Sequence, residues 1–244
     1  MMKYFSVSDI HGCYKELREA LSEAGFDPNN KNHKLIVCGD LFDRGDEHVN
    51  VYYYLKELVN KDRAIVIKGN HELFFKDLIY GEERSHRSIN FNIKHNGFGK
   101  TLSDFTGIPE AELTQYSITE LATAFNKRHP GFLNWIHELQ FYYETESYVF
   151  THAGIDIDTD DWKTGNWEKQ VWQDLRIYQH FNLHDVGFDK KLVMGHYPTH
   201  HFDANNEIYK HPDHQKIFID GGCVYFEEST INVLILDDCE MDTR

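Results

Sequence analysis

The sequence predicts an α/β protein: a two-sheet mixed β-sandwich flanked by helices, with a helical insertion. Three observations lead there. Strand-like and helix-like patterns alternate over the first hundred residues, strand-like runs vanish between about 81 and 139, and they return at short spacing from about 140 onward. Tyr4-Phe5-Ser6-Val7 is a short apolar run of strand type. Over 14–24, Leu17, Ala20, Leu21 and Ala24 share one helical face, and Gly25 offers the stop. Leu35-Ile36-Val37-Cys38 is a second strand. Residues 46–59 make a second helix with Val51, Tyr52, Leu55, Leu58 and Val59 inward, so the Tyr52-Tyr53-Tyr54 run is a packing feature. Ala64-Ile65-Val66-Ile67 is a third strand, followed by a helix from Glu72 to about Tyr80. A β-α-β-α-β-α order argues for a parallel sheet with right-handed crossovers.

Within 81–139, Ser117-Ile118-Thr119-Glu120 is a capping-box pattern ahead of Leu121, Ala124 and Phe125. Pro130 then opens a helix carrying Phe132, Leu133, Trp135 and Ile136. Beyond 140, strands are expected at Phe141–Glu144, Tyr148–Thr151, Leu192–Met194, Lys216–Ile219 and Ile231–Leu236, with helical patterning only at about 166–180. This half should form a second, mixed or antiparallel sheet. No repeat, low-complexity tract or Ser/Gly-rich linker interrupts the 244 residues, and only five are proline. Residues 1–244 are therefore expected to form one domain, with the insertion lying over its core.

Composition narrows the function. There are 25 Lys and Arg against 40 Asp and Glu, a formal net charge of −15. A field of that sign repels phosphate backbones and anionic membranes, and it suits a protein that gathers divalent cations. The 16 histidines point the same way. The four cysteines, Cys13, Cys38, Cys223 and Cys239, form no C-x-x-C pair, so zinc-ribbon and thioredoxin readings fail and reduced thiols in a cytosol fit better. No run approaches 18 apolar residues, and the first residues lack an apolar signal core. A cytoplasmic location without membrane or nucleic-acid partners is the expectation. Cys38 reads as core, and the His-rich stretch with His200, His201, His211 and His214 as a solvated loop.

Five apolar runs end in a possible metal ligand. The first leads to Asp9 and, two residues on, His11; the others lead to Asp40, Asn70, His152 and His196. Ligand sites in α/β sheets lie beyond the carboxyl ends of strands, so these side chains should converge on one rim. Any one Gly-Asp or Gly-His pair is ordinary turn punctuation. Five together are hard to assemble by turn chemistry alone. Three oxygen donors and three imidazoles are too many for one tetrahedral zinc. They suit two divalent ions sharing a bridging carboxylate, the arrangement that clamps attacking and leaving oxygens in phosphoryl transfer. Donors of N and O without thiolate fit Mn first, with Fe, Zn or Co as the other choices.

The sequence resembles the calcineurin-like metallophosphoesterase superfamily, in its phosphoprotein phosphatase branch of bacterial and phage Ser/Thr phosphatases. The resemblance rests on Asp9-Ile10-His11-Gly12, Gly39-Asp40-Leu41-Phe42-Asp43-Arg44-Gly45, Gly69-Asn70-His71-Glu72, His152-Ala153-Gly154 and Gly195-His196, in that order, with Ile219-Asp220-Gly221-Gly222-Cys223 as a closing strand and turn. It implies that Asp9, His11 and Asp40 hold one metal and that Asp40, Asn70, His152 and His196 hold the other. It implies a hydroxide shared by the metals that attacks phosphorus in line, with no covalent phosphoenzyme. His71 would be the general acid, oriented by Asp43, and Arg44 would grip phosphate oxygens. Glu72 reads as a first-turn acid. The family's Trp-x-Arg is altered here to Trp172-Gln173-Asp174, which leaves Arg176 as a candidate second phosphate ligand, and Tyr197 replaces a usual Thr.

The resemblance implies a phosphomonoesterase acting on phosphoserine or phosphothreonine in proteins, or on a phosphorylated small molecule. A diadenosine tetraphosphate hydrolase is the alternative, because such enzymes share every motif quoted. A non-catalytic interaction module on the same fold is disfavoured, since such proteins typically lose ligands and all six positions are filled here. A nuclease is disfavoured by the charge.

Overall fold

The computed structural model describes residues 2–81, 86–225 and 231–237; Cys239 lies outside them. The alternating pattern of the first half becomes β1 (Lys3–Val7), α1 (Tyr14–Glu23), β2 (His33–Cys38), α2 (His48–Asn60) and β3 (Ala64–Ile67). A 3-10 turn (His71–Phe75) follows, then α3 (Lys76–Tyr80). The next stretch is helical: α4 (His86–His95), α5 (Phe98–Thr106), α6 (Ile118–Arg128) and α7 (Phe132–Glu138). The remaining elements are β4 (Tyr142–Glu144), β5 (Tyr148–Thr151), α8 (Trp167–Gln170), β6 (Lys191–Met194), β7 (Tyr209–Lys210), β8 (Lys216–Phe218) and β9 (Leu234–Asp237), with short 3-10 turns between several of them.

Two mixed sheets result. The first has the order β3-β2-β1-β9 and the second β4-β5-β6-β8-β7. β1, β2 and β3 run parallel, as the crossover helices require, and so do β5, β6 and β8. Alternation along each strand divides the core into layers. Leu35 and Val37 of β2 face the helices of the first half, while Ile36 and Cys38 turn to the space between the sheets and meet Phe150 and Val193. Val149, Leu192 and Met194 point the other way, onto Leu175, Tyr178 and Leu183. The two sheets thus pack face to face, each with its own outer layer.

Three expectations need correction, and one strand escapes the sequence. The helix expected at about 166–180 is reduced to the four residues of α8, followed by a 3-10 turn at Leu175–Gln179. The strand expected at Ile231–Leu236 is observed as β9, and it joins the first sheet, antiparallel to β1, instead of extending the second. β7 has only two residues, too few to stand out in the sequence. The helix expected from Glu72 begins as a tighter turn, with Leu73 N–H bonded to the Asn70 carbonyl. That tightening lets the His71 N–H reach the Asp40 carboxylate at 3.0 Å. The capping box at Ser117 and Glu120 forms in full and starts α6. Among the described residues, no helix is long and apolar enough to cross a membrane.

Candidate metal centre

The loops after β1 and β2 zip together beyond the ends of their strands. Asp9 N–H bonds to the Gly39 carbonyl, His11 N–H to Asp40, Gly12 N–H to Leu41, and Gly45 N–H back to His11, at 2.9–3.1 Å. Left-handed backbone accompanies this pairing at five residues that carry chemistry, Asp9 (φ 51), His11 (46), Asp40 (53), Asp43 (73) and Arg44 (69), and recurs at His196 (68) beyond β6. Asp and His tolerate that region better than most residues, and Arg44 does so less readily. Such backbone persists only where its surroundings over-determine it. Gly39 and Gly69 permit the close approach of the β2 and β3 ends: a Cβ on Gly39 would stand 2.7 Å from the Gly69 Cα.

Glu72 fixes this approach. Its buried carboxylate accepts from the N–H groups of Asp40 (2.9 Å), Leu41 (2.9 Å) and Gly69 (2.7 Å). The first-turn reading understates it, because this residue holds two strand-end loops in register. Burial raises its pKa and these N–H bonds oppose the rise. Glu72→Gln would turn an amide NH₂ toward at least one of the donors. We expect it to weaken Mn²⁺ binding by about 10- to 100-fold, the range for partners that orient ligands, as read by calorimetric titration. Unchanged affinity would refute this role.

The six donors meet at one rim. Ligand atoms of Asp40, His152 and His196 lie within 4.8 Å of one another, as do those of His11, Asp40 and His71. Asp40 belongs to both groups. Asp9 joins through its Oδ2, which accepts the His196 N–H at 2.8 Å. His152 Nε2 lies 2.8 Å from the Asn70 side-chain oxygen. The His11 Nδ1–H donates to the Phe42 carbonyl (2.7 Å) and the His152 Nδ1–H to the Cys38 carbonyl (2.8 Å). A carbonyl can only accept, so both rings carry their proton on Nδ1 and present an Nε2 lone pair to the centre. Those lone pairs face the Asp40 carboxylate at 3.6 and 3.4 Å.

Lone pairs aimed at a carboxylate repel unless a cation stands near them, and the Arg44 Nη1, 2.6 Å from His11 Nε2, serves only the first of the two. Five buried carboxylates (Asp9, Asp40, Asp43, Glu72 and Asp220) gather here, and Arg44 is the only Lys or Arg among the described residues lining the cavity. Burial raises the pKa of Asp40 well above the carboxylate range, and the charges of Asp9 and Glu72 add to it. Burial and the neighbouring His152 lower His196 to about 2. Divalent charge is what such a set lacks, and the residues present fit it.

Beside the donors, His71 Nδ1 is 2.5 Å from Asp43 Oδ2. The Arg44 guanidinium spans the two imidazoles, with Nη1 2.6 Å from His11 Nε2 and Nη2 2.9 Å from His71 Nε2. Burial pushes Asp43 up to about 7 and His71 well below the imidazole range, the latter helped by the Arg44 charge. The far side of Asp43 is held by the insertion. Thr101 of α5 donates its hydroxyl to Asp43 Oδ1 at 2.5 Å and accepts the Asp43 N–H at 2.9 Å. Nothing local in the sequence marks Thr101, since its partner lies 58 residues away. Thr101→Val keeps the shape and strands two buried polar groups. It is expected to cost about 1–3 kcal/mol of stability, measured by urea unfolding, and to depress turnover of esters with basic leaving groups.

The cavity over these residues has a volume of about 590 Å³. Asp9, Asp40, Asn70, His71, His196 and Arg44 line it together with the aromatic rings of Phe74, Trp172, Tyr197 and Tyr225. Asp220 also lines it, held by the Gly222 N–H at 2.7 Å. Its sequence signal was only the turn after a strand. Arg176 is not among the lining residues. Its guanidinium is committed to Asp174, at 2.5–3.0 Å, and lies over the Tyr197 ring at 5.7 Å. The structure therefore brings together nine of the ten residues singled out, with Arg176 outside the cluster.

A family model described as calcineurin-like phosphoesterase matches residues 2–238. A symmetrical bis(5'-nucleosyl)-tetraphosphatase from Buchnera aphidicola is 41% identical over 103 residues, which cover 42% of this chain and 33% of that protein. The match thus spans about a third of the curated relative's length. A solved structure provisionally named a diadenosine tetraphosphatase has a TM-score of 0.57 at 18% identity, covering 96% of this chain and 93% of that one. The cold-active protein-tyrosine phosphatase of a Shewanella species has a TM-score of 0.60 at 16% identity, covering 97% and 76%. At such identities the two solved structures speak to the fold alone.

Proposed function

Because the chain belongs to the calcineurin-like phosphoesterase family, we propose that it is a dimetal-dependent hydrolase of dinucleoside polyphosphates. The observation that carries the substrate half is the name shared by its curated relatives, symmetrical bis(5'-nucleosyl)-tetraphosphatase. That name favours the dinucleotide over the phosphoprotein that the motifs alone suggest.

Asp9, His11 and Asp40 would hold one divalent ion, and Asp40, Asn70, His152 and His196 the other. Two such ions supply water activated at neutral pH and a clamp on the oxygens of phosphoryl transfer. Mn is our choice for both, on the mixed N/O donor set. Arg44, whose fork here spans His11 and His71, would turn that planar fork to the non-bridging phosphate oxygens once His11 holds an ion. Asp43 fixes the His71 ring through Nδ1, so that a proton on Nε2 can pass to the departing oxygen. The bond between Thr101 and Asp43 supports treating the helices of 81–139 as an insertion within one domain.

The test is kcat/KM on chelator-stripped, Mn²⁺-reloaded protein for diadenosine tetraphosphate beside a phosphothreonine peptide. We expect the dinucleotide to be preferred. Preference for the peptide would make the protein a phosphatase with the same centre. Turnover of neither would sink the catalytic reading.

A further inference from the structure

We propose that Trp172, backed by Phe74, is the stacking platform for one nucleobase of the substrate. The inference rests on the nucleotide reading above. The Phe74 ring lies 4.8 Å from that of His71, and Trp172 lies 6.0 Å beyond Phe74, so an aromatic path leads outward from the proposed acid. Trp172 is 50% exposed, which leaves ring surface open to a ligand. It also borders two hollows at once. Phe74, Trp172 and Asn96 line both the catalytic cavity and a neighbouring hollow of about 590 Å³, which Leu73, Lys76, Asp77, Phe91 and Asn92 complete. A groove thus runs from the donor cluster, over an indole, into a space with a further exposed aromatic, Phe91.

The chemistry of that groove selects its occupant. A dinucleoside polyphosphate carries a flat base at each end of an anionic chain, whereas a phosphoserine or phosphothreonine side chain offers no π face. Arg44 is the only Lys or Arg in the described lining of the catalytic cavity, and Lys76 of the neighbouring hollow is paired with Glu168 at 2.7 Å, so grip on the nucleoside part falls mainly to apolar faces. Every base has such a face, and stacking on an aromatic side chain is strong and tolerant of base identity. The Asn96 and Asn92 amides, bonded to each other at 2.8 Å, stand in the same hollow. An Asn amide matches the N6/N7 edge of adenine. Trp172 touches none of the six metal donors in the described contacts, so its removal should spare the chemistry.

The experiment compares wild type, Trp172→Ala and Trp172→Phe as Mn²⁺-loaded proteins. Calorimetry reads the binding of AMP and of inorganic phosphate, and kinetics reads kcat/KM for diadenosine tetraphosphate. Trp172→Ala is expected to weaken AMP binding and to lower kcat/KM by about 10- to 100-fold, the range of base–aromatic stacking on alanine substitution. Phosphate binding should not change, and Trp172→Phe should recover most of the loss. AMP binding independent of Trp172, or equal losses for AMP and phosphate, would overturn the subsite whatever the enzyme hydrolyses. Should wild type ignore the dinucleotide yet bind AMP through Trp172, the hydrolase reading fails and the stacking subsite stands.

Discussion

Asp40→Asn is expected to lower kcat/KM for every phosphate ester by about 10³-fold or more, the largest effect of any single change in this chain. Asp40 is the one carboxylate common to both donor groups. Its Oδ1 is 3.4 Å from His152 Nε2, and its Oδ2 is 3.6 Å from His11 Nε2. The amide removes a negative charge and sets an NH₂ where a lone pair is required. Losing the ion clamp forfeits several kcal/mol of transition-state stabilisation, and each 1.36 kcal/mol is a factor of about ten. The metal-free variant should nevertheless fold, with a Tm equal to or above that of the metal-free wild type, because a buried carboxylate among other buried carboxylates opposes folding. Metal content by elemental analysis, Tm and kcat/KM together decide the matter. A variant that keeps two ions and loses less than about tenfold would show that Asp40 does not bridge.

His71→Asn should divide substrates by their leaving groups. A serine alkoxide is strongly basic and needs a proton as it departs, whereas a nucleotide phosphate needs one far less. Loss of a positioned acid costs about 10²–10⁴-fold where the proton is needed. We expect that loss on an alkyl phosphomonoester or phosphopeptide, and under about tenfold on diadenosine tetraphosphate. Asp43→Asn should follow the same division more weakly, since the amide can still face Nδ1 but loses the carboxylate's charge. Equal losses on both substrates would remove His71 from the role of acid.

The rim of donors is legible in the sequence because each donor follows an apolar run, and strand ends converge in a sheet of this topology. Asp9 and His11 are two apart, a spacing that an extended chain would turn to one side, but both adopt left-handed backbone, so the loop and not the strand pleat brings them together; Asp40, Asn70, His152 and His196 each close a run of their own. What stays hidden is whatever depends on long-range partners. Glu72 looks like a first-turn acid because its three N–H donors come from loops that only the fold brings within reach. Thr101 sits in a helix whose apolar pattern gives no reason to notice it. The placement of β9 beside β1 depends on which sheet has an open edge, and hydropathy along Leu234–Asp237 does not carry that information. Arg176 is the opposite case: spacing near a family motif suggests a role, and Asp174, two residues away, takes up its guanidinium.

The grip of α5 on the acid side of the centre has a consequence for engineering. Thr101 secures Asp43, Lys100 reaches the Arg44 carbonyl at 3.0 Å and Asp46 at 2.9 Å, and Asp104 pairs with His48 of α2 at 2.7 Å. The donors for metal come from strand ends, but the proton donor's support comes from a different layer. Chimaeras that exchange this helical segment for another should therefore yield proteins that load ions normally and cut only bonds with stable leaving groups. Substrate repertoire then becomes a property of a transplantable module, separable from the hydrolytic power beneath it.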